Sequence, residues 1–553
     1  APSVPASMLR PKVRWRRSRL QRLLSSGVLR GVARGTTAAT DLAELTDRTE
    51  TRAAASPLAD QRAVLLVVLL AAITLARLLA LRYPVTDLQV DDAQYWDLSH
   101  HFAFGYFSKP PLIAWTIAAA NAVCGTGVAC VRAPSPLFYF GTSLLIYATG
   151  RALYGPRTGF WAALGFALAP GVAFSAAILS TDVLLLFFWA LSLYAFVRLR
   201  AGGGYRWSLL LGLGIGFGLL AKYAMAYFIG CALIAALIDP PSRAVIRSGR
   251  FWLAVAIGLL LLLPNIVWNL NNGLVTLRHT NENIAGDGLR ISLGNAIGFL
   301  AAQFGIIGPF LMGGALAAAI AAWRKGLPGE DRMLLAFALP VILVVTIASV
   351  LTVTNANWAA SGLVATALVG TSFLIRSGRF RLVQAGLAIG IVAQLVLFVG
   401  NAVADRVTLP LLKHGDIYKQ VLGWSRLGDA VRAEAKASGA SMVVALSRAD
   451  AAALVYNLRD DPLAVTVWPD DPGPDNQFEL TRSILDHAPT GPALLVAGCA
   501  EPARLARFFG EVEDKGRLAV ASGPSSSRSY HLFRLDRPIA PLAPVPLCGD
   551  DTD

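Results

Sequence analysis

Residues 63–83 read AVLLVVLLAAITLARLLALRY, an apolar run long enough to cross a lipid bilayer as a helix. Such a helix needs about 20 apolar residues, and lipid offers the backbone no hydrogen-bond partner outside the helix itself. Further runs of this kind follow until about residue 402. The whole chain is 55% hydrophobic and only 15% charged, whereas a soluble protein carries roughly 25% charged residues. The sequence therefore predicts an α-helical, polytopic membrane protein.

The apolar runs predict about eleven transmembrane helices, and up to thirteen if shorter runs also cross. The predicted spans are 63–83, 134–150, 158–175, 183–198, 207–222, 223–239, 251–268, 296–322, 333–353, 360–376 and 383–402. The stretch 110–125 is not counted, because it opens with two prolines and is short for a span. We expect it to form a helix along the membrane surface.

The distribution of positive charge predicts which loops face the cytoplasm. A net charge of +14 is also typical of nucleic-acid-binding proteins. Here, however, the basic residues gather near the N-terminus and in short loops between spans, and cytoplasmic loops of membrane proteins carry such an excess. With a cytosolic N-terminus, the loops left on the outer side are 84–133, 176–182, the turn near 222, 269–295 and 354–359.

Three regions follow from this pattern. We expect residues 1–61 to form a basic, disordered, cytosolic tail. They lack the apolar core of a cleavable signal peptide. Residues 62–402 hold the spans and the first loop, our name for residues 84–133. Residues 403–553 predict a small α/β domain on the outer side. Its β-type runs are 441–446, 463–467 and 493–497, and its helical runs are 427–437, 451–458 and 502–509.

The five cysteines show no spacing typical of a metal site. Cys124 and Cys130 are close enough in the first loop to form a disulfide if that loop faces an oxidising compartment. Two unpaired thiols are the alternative.

Two adjacent carboxylates and a lysine mark the first loop as a candidate site. The loop reads VDDAQYW at 90–96 and GYFSKPP at 105–111. A carboxylate can act as a general base toward a hydroxyl, and the compact cation of a lysine suits a phosphate. The alternative is that Asp91 and Asp92 only cap a surface helix.

Further polar residues fall in the other outer loops. Asp182 stands at the start of a span, where helix capping is the alternative to a function. Lys222 lies between two spans, where its side chain could simply reach for the interface. His279 is a metal ligand or a surface histidine. Asn357 and Trp358 lie in a short turn and could serve only to anchor it at the interface.

Taken in order, these segments resemble the GT-C superfamily of membrane glycosyltransferases over roughly residues 63–402. The most similar branch is bacterial and includes the aminoarabinose-to-lipid-A transferase and the galacturonic acid transferases of lipid A and lipopolysaccharide core. The protein O-mannosyltransferases of glycosyltransferase family 39 are more distant. The matching residues are Asp91, Asp92 and Tyr95; Tyr106, Phe107, Lys109 and Pro110; Val131 and Arg132; Thr181 and Asp182; Lys222; Leu263 and Pro264; and Trp268 and Asn269.

The resemblance implies a GT-C fold and transfer of a sugar from a polyprenyl-phosphate carrier, with inversion at the anomeric carbon. Asp91 would be the catalytic acidic residue that deprotonates or orients the acceptor, with Asp92 and Asp182 assisting. Lys109 would hold the carrier phosphate and stabilise the charge that develops there. The other expected contacts of the substrate or its phosphate are Tyr95, Tyr106, Lys222, His279 and Arg132, the last of which has anchoring of the loop as its alternative role.

The same resemblance places the reaction in a bacterial inner membrane, with the active site facing the periplasm. The expected partners are the polyprenyl-phosphate sugar, membrane lipid and an envelope acceptor, with lipid A or lipopolysaccharide core as the first choice, and no nucleic acid. The alternative is a transporter or a flippase for lipid-linked sugars, although ionisable groups of transporters tend to lie in mid-span. A non-catalytic scaffold is a third reading.

One departure from the family bears on metal binding. In the aminoarabinose branch, a glutamate directly before the Lys-Pro pair can hold a metal ion together with a later histidine. The glutamate position is Ser108 here, while His279 matches the histidine. Because a hydroxyl is a poor replacement ligand, we predict no metal and no other cofactor.

Overall fold

The computed structural model describes residues 57–83, 85–285, 291–326, 328–407 and 418–548. Within these ranges the chain is mostly helical, and it carries a five-stranded sheet near its C-terminal end. The predicted cytosolic tail lies outside the described residues, apart from the first few residues of a helix that begins at Pro57.

The helices of the membrane region follow the predicted spans, singly or as consecutive pairs. Those up to the end of the first loop are α1 (Pro57–Leu81), α2 (Val90–Leu98), α3 (Leu112–Cys124) and α4 (Val128–Arg132). Those that follow are α5 (Pro134–Tyr154), α6 (Pro156–Ala167), α7 (Pro170–Ser175), α8 (Thr181–Arg200), α9 (Tyr205–Ala221), α10 (Tyr227–Ile238), α11 (Pro240–Ile246), α12 (Gly249–Asn271), α13 (Val275–Ala285), α14 (Leu293–Ile307), α15 (Pro309–Lys325), α16 (Gly329–Leu351), α17 (Gly362–Arg376) and α18 (Phe380–Ala402). Turns of 3₁₀-helix lie at Tyr223–Ala226 and Ala356–Ala359.

Five of the described helices are long and apolar enough to cross a membrane, namely α1, α8, α12, α16 and α18. The number rises to six if α14 and α15 form one broken span. Several other predicted spans correspond to shorter apolar helices such as α9 and α17. The predicted helical architecture with several membrane spans is confirmed, and the total of eleven crossings stays a prediction.

The predicted span 296–322 is divided in the structure into two helices. Helices α14 and α15 meet at Gly308 with a bend of 115°. Gly308 has a φ of +91°, which glycine adopts without a steric penalty. Pro309 has no amide hydrogen with which to continue the preceding helix. An apolar run cannot reveal this bend, since both halves have the same composition.

The stretch 110–125 forms α3, which is 13 residues long. At 1.5 Å per residue this helix measures about 20 Å, whereas the hydrocarbon core of a bilayer is about 30 Å thick. It is therefore too short to cross alone, as the sequence indicates. Its position along the surface stays a prediction.

Close approach of helices depends on small residues in the membrane region. A Cβ atom added to Gly370 of α17 would lie 2.3 Å from the carbonyl oxygen of Leu311 in α15. Aromatic side chains fill another part of the helical core, where Trp189, Phe228 and Phe337 are fully buried. The ring centroids of Phe228 lie 5.2 Å from Trp189 and 4.9 Å from Phe337. These contacts give a dense helical frame.

The C-terminal region is a mixed sheet covered by helices. Its strands are β1 (Met442–Ala445), β2 (Ala464–Val467), β3 (Ala493–Ala497), β4 (Phe509–Ala521) and β5 (Ser527–Pro538), in the order β2-β1-β3-β5-β4. Its helices are α19 (Trp424–Ser438), α20 (Arg448–Asn457), α21 (Gln477–Arg482) and α22 (Pro502–Leu505). Strands β1, β2 and β3 are parallel, while β4 and β5 pair antiparallel. The three predicted strands are confirmed. The β4–β5 hairpin was not predicted, because β4 is polar and largely exposed.

The first loop and the C-terminal region share one hydrophobic core. Leu88, Trp96 and Ile113 belong to the same buried cluster as Leu427 and Tyr456. The rings of Trp96 and Tyr456 meet edge to face with centroids 5.0 Å apart. Because this core is continuous, the C-terminal region helps to fix the position of α2.

Each of these two segments contains one disulfide. Cys124 and Cys130 are joined across the end of α3 and the start of α4, so of the two readings left open for them the disulfide is the one observed. Cys499 and Cys548 are joined within the C-terminal region. The second bond was not predicted, since 49 residues separate its cysteines. Cys231 is free and buried.

Candidate active site

The two adjacent carboxylates at the start of α2 differ in exposure. Successive residues of a helix point about 100° apart, so one can enter the core while its neighbour stays at the surface. The side chain of Asp92 is 0% exposed and that of Asp91 is 45% exposed. Of this pair, Asp91 is therefore the carboxylate that a substrate can reach.

Asp92 and Arg132 form a closed ion pair that anchors the first loop. The Nε of Arg132 donates to Asp92 at 3.0 Å, and the amide of Leu179 donates to the other carboxylate oxygen at 3.3 Å. The remaining nitrogens of Arg132 donate to the Thr86 hydroxyl and the Asp87 carbonyl. Burial raises the pKa of Asp92, and the guanidinium opposes that rise. Because this pair is enclosed, its contacts fit the alternative role of Arg132 as an anchor of the first loop. An assisting role of Asp92 beside the substrate stays a prediction.

Asp91 is paired with a residue of the C-terminal region. The Nη2 of Arg448, the first residue of α20, donates to Asp91. The Nε of the same guanidinium donates to Gln94 at 2.6 Å. Gln94 is buried one helical turn after Asp91, so α2 presents an amide and a carboxylate to one arginine. The C-terminal region thereby contributes directly to the surroundings of Asp91.

Asp182 forms a second acidic group, at the first turn of α8. The Nζ of Lys222 donates to one carboxylate oxygen at 2.7 Å, and the amide of Asn357 donates to the other at 2.6 Å. Lys222 directly follows α9, and Asn357 lies in the 3₁₀ turn before α17. Three separate helix ends therefore meet at Asp182.

Lys109 is coupled by charge to both acidic groups. Burial lowers the pKa of Lys109, because the charged ammonium loses water, whereas the negative charges of Asp91 and Asp182 raise it. The positive charges of Lys222 and Arg448 lower it further. Among the described residues, no carboxylate forms an ion pair with Lys109. Lys109 therefore lies near two other cations, Lys222 and Arg448, and is not neutralised by an ion pair with a described carboxylate.

The two predicted tyrosines are buried and differ in their surroundings. The hydroxyl of Tyr106 donates to the carbonyl of His101 at 2.7 Å and to that of Leu98 at 3.2 Å. Burial raises the pKa of Tyr106 to about 12, and its bonds make it a brace within the first loop. Burial also raises the pKa of Tyr95 well above the usual range, with the charge of Asp91 adding to that rise. Tyr95 thus lies in the electrostatic field of the site.

Ser108 and His279 stand at the positions of the two metal ligands of the aminoarabinose branch. The ring of His279, on α13, lies with its centroid 5.2 Å from that of Phe107. In the described part of the chain, no group of three or more histidine, cysteine, aspartate or glutamate side chains could hold a metal ion. These residues do not fit the metal of the aminoarabinose branch, so no chemical step is derived through one. A substrate contact of His279 stays a prediction.

A cavity of about 430 Å³ lies where α1, α7 and α18 face each other. Its lining is largely apolar, with Arg77, Gln394 and Arg132 among the polar residues. Neither Asp91 nor Lys109 belongs to that lining, so the cavity does not by itself mark the place of chemistry. The expected groove for a polyprenyl tail stays a prediction.

Sequence reasoning missed three side chains of the site. Arg448 carries no recognisable signal, since it lies 354 residues beyond its glutamine partner in a region with no motif. Gln94 belongs to the quoted stretch 90–96, but no role was predicted for it. Asn357 was noticed only as an interfacial anchor. The available signal was the topology, because it predicted that the turn of Asn357 and the loop of Asp182 lie on the same side of the membrane.

Together these groups can carry out a displacement at a phosphorylated carbon. An exposed carboxylate can take a proton from a hydroxyl. A nearby lysine and a second acid–lysine pair can hold a phosphate and stabilise charge on it. The arrangement therefore offers a base and cations suited to a phosphate within one part of the fold.

Comparison with known proteins decides the family. The family model for dolichyl-phosphate-mannose-protein mannosyltransferase matches residues 108–268. The lipid A galacturonosyltransferase RgtD of Rhizobium johnstonii is 33% identical over 401 residues, which cover 72% of this chain and 83% of RgtD. The chain belongs to the GT-C superfamily of membrane glycosyltransferases.

Two further relatives agree with this assignment. The lipopolysaccharide core galacturonosyltransferase RgtB of Rhizobium johnstonii is 31% identical to this glycosyltransferase over 204 residues, or 36% of the chain and 41% of RgtB. The crystal structure of ArnT from Cupriavidus metallidurans in the apo state covers 88% of the chain and 100% of that structure, with a TM-score of 0.56 and 15% identity. That likeness shows the shared fold, and the predicted GT-C fold with its C-terminal sheet is confirmed.

Proposed function

We propose that this glycosyltransferase moves a sugar from a polyprenyl phosphate to lipid A or lipopolysaccharide core at the periplasmic face of a bacterial inner membrane. The observations that carry the proposal are the partly exposed carboxylate of Asp91 and the Asp182–Lys222 ion pair at 2.7 Å. Lys109 is near enough to both acidic groups for their charges to act on its pKa. The acceptor and the sugar, a uronic acid, are proposed from RgtD and RgtB, which are named as galacturonosyltransferases of lipid A and of lipopolysaccharide core. A structure of ArnT bound to undecaprenyl phosphate shares the fold and supports a polyprenyl carrier.

In the proposed reaction, a hydroxyl of the acceptor attacks the anomeric carbon of the donor and its proton passes to Asp91. The bond between that carbon and the phosphate oxygen breaks, and its electron pair leaves with the polyprenyl phosphate. Attack from the side opposite the leaving group inverts the anomeric configuration. Lys109 stabilises the charge that grows on the phosphate. The Asp182–Lys222 pair lies beside the phosphate position and orients the phosphate.

The disulfides support the side of the membrane. Cys124–Cys130 lies in the first loop and Cys499–Cys548 in the C-terminal region, and these two segments share a core. Disulfides persist in the periplasm and are rare in the cytosol. Both segments therefore fit the outer face, which is also the face that the distribution of basic loops predicts.

Transfer of radiolabel tests the proposal. The purified protein in lipid is given polyprenyl-phosphate sugars with an envelope extract, beside Asp91→Asn. This substitution keeps the shape of the side chain and removes its basicity, so we expect a loss of about 10²–10⁴-fold in transfer. Binding of polyprenyl phosphate should persist in both proteins.

Two outcomes would reject the transferase mechanism. Full transfer by the Asp91→Asn protein would show that another group is the base. A wild-type protein that binds the donor and moves it across vesicle membranes without transferring its sugar would instead be a flippase.

A further inference from the structure

Arg448 reaches Asp91 with part of its guanidinium still open. Its Nε is held by Gln94 and its Nη2 by Asp91, while Nη1 has no hydrogen-bond partner among the described residues. The side chain of Arg448 is 40% exposed and that of Asp91 45% exposed. The guanidinium is therefore held by its Nε–Nη2 edge, which leaves the Nη1–Nη2 edge without a second partner on a side chain that is partly exposed.

A second arginine at the same interface shows what a purely structural contact looks like here. Arg482 of α21 donates to Asp97 of α2 at 2.7 Å. Asp97 is only 4% exposed and Arg482 29%, so this bridge is largely enclosed between α2 and the C-terminal region. Arg448 differs because both members of its pair are open to solvent. Holding the two regions together does not require that openness.

The site holds one more cation than the phosphate of the donor needs. Lys222 is tied to Asp182, and Lys109 has no carboxylate of its own. Lys109 suits the single charge of a phosphodiester. A donor that also bears a carboxylate on its sugar needs another cationic partner. Arg448 is the cation of the site that has a free donor nitrogen and a planar shape.

Arginine matches a carboxylate better than lysine does. Its fork donates two parallel hydrogen bonds to the two carboxylate oxygens, and the open Nη1–Nη2 edge of Arg448 has that geometry. A neutral sugar has only a hydroxymethyl group at the same carbon and would meet the guanidinium with a single weak contact. We propose that Arg448, supplied by the C-terminal region, binds the sugar carboxylate of a uronic acid donor and so selects that donor over a neutral hexose. This assignment rests on the proposed function.

Two donors that differ at one carbon test the assignment. Polyprenyl-phosphate galacturonate and polyprenyl-phosphate galactose are compared by kcat/KM with the wild-type protein, Arg448→Gln and Arg448→Lys. Because Arg448 also touches Asp91, both rates can fall in the variants, so the decisive quantity is the ratio between the two donors. We expect Arg448→Gln to lower the galacturonate-to-galactose ratio by about 10–100-fold. Arg448→Lys keeps the charge and loses the fork, and its ratio should lie in between.

Arg482→Gln is the matched control, since it breaks the neighbouring bridge between the same two regions. It should leave the donor ratio unchanged, whatever it does to stability. The dissociation constants of short-chain analogues of both donors give a second reading of the ratio without turnover, and they also show that each variant is folded.

An unchanged ratio in Arg448→Gln, in both kcat/KM and dissociation constants, would overturn the assignment and leave Arg448 as a residue that only positions Asp91. A different failure would point at the proposed function. If the wild-type protein transfers neither sugar, the transferase claim falls, and the ratio of the dissociation constants still decides whether Arg448 recognises a carboxylate.

Discussion

The Asp91–Arg448 and Asp92–Arg132 pairs begin at neighbouring residues of α2 and differ in what surrounds them. In the second pair the two side chains are 0% and 3% exposed. A buried charge that loses its partner is costly, because no water replaces the lost interaction. The two pairs therefore predict different consequences of substitution. Substitution in the exposed pair should change the rate of transfer, and substitution in the enclosed pair should change the free energy of unfolding.

Asp92→Ala should lower the free energy of unfolding by about 3–5 kcal/mol, since it leaves the guanidinium of Arg132 enclosed and unpaired. The double variant Asp92→Ala with Arg132→Met should recover part of that loss. Asp460→Ala, which breaks a pair whose aspartate is 86% exposed, serves as the control with little expected effect. Reversible unfolding in lipid measures all three. Equal stability of Asp92→Ala and Asp460→Ala would contradict the role of the buried pair.

The pH dependence of carrier binding should follow Lys109. Burial lowers the pKa of this lysine in the free site, and a bound phosphate favours its charged form. The affinity for polyprenyl phosphate should therefore be full below the lowered pKa and weaken as the pH rises through it, beginning below the usual lysine value of about 10.4. Titration of binding against pH measures this. Lys109→Arg stays charged and should remove the decline, whereas a decline that persists would assign it to another group.

Among the structural elements, those with a strong local pattern were predictable. The spans and three strands follow from apolar runs, whereas α2 was anticipated only as the surface helix that Asp91 and Asp92 would cap. The expected roles of the first-loop residues and of Asp182 follow from motif order. The bend at Gly308 and the β4–β5 hairpin were not predictable from composition, because an apolar helix pair and a polar edge strand carry no such signal. The contact of Arg448 depends on tertiary packing between segments that are 357 residues apart, and no local pattern encodes it.

The contact between α15 and α17 predicts a sharp size limit. A larger residue at Gly370 has no space against the backbone of Leu311, and overpacking costs about 1–3 kcal/mol. Gly370→Val should lower the free energy of unfolding by that amount. Gly313→Val is the control on α15, because a Cβ there would meet nothing within 4 Å. A steric-trap or denaturant measurement that finds the two variants equal would contradict the predicted contact.

The two disulfides should differ in their contribution to stability. The chain-entropy model gives about 4 kcal/mol for a closed loop of about 50 residues and about 2 kcal/mol for one of about 7 residues. Replacing Cys499 and Cys548 together by serine should therefore cost more than replacing Cys124 and Cys130 together. Free energies of unfolding under oxidising conditions test the order. A larger loss at the shorter loop would show that native contacts, and not loop length, dominate.

At the scale of the whole molecule, the first loop and the C-terminal region should unfold together. They share a core in which Trp96 packs on Tyr456. Trp96→Ala should raise hydrogen exchange in both α2 and α20 by a similar factor, since a large buried side chain contributes about 3–5 kcal/mol. Helix α8, in the membrane frame, should change little. Faster exchange confined to α2 would show that the two segments are independent.

The joint core also sets an order of events during synthesis. Asp91 leaves the ribosome 357 residues ahead of Arg448, which at roughly 5–20 residues per second corresponds to about 20–70 s. During that interval the apolar faces of α2 and α3 lack the chain segment that covers them in the complete protein. The growing protein therefore lacks Arg448 beside Asp91 until nearly the whole chain is made, and a chaperone would find exposed apolar surface in the first loop for that period.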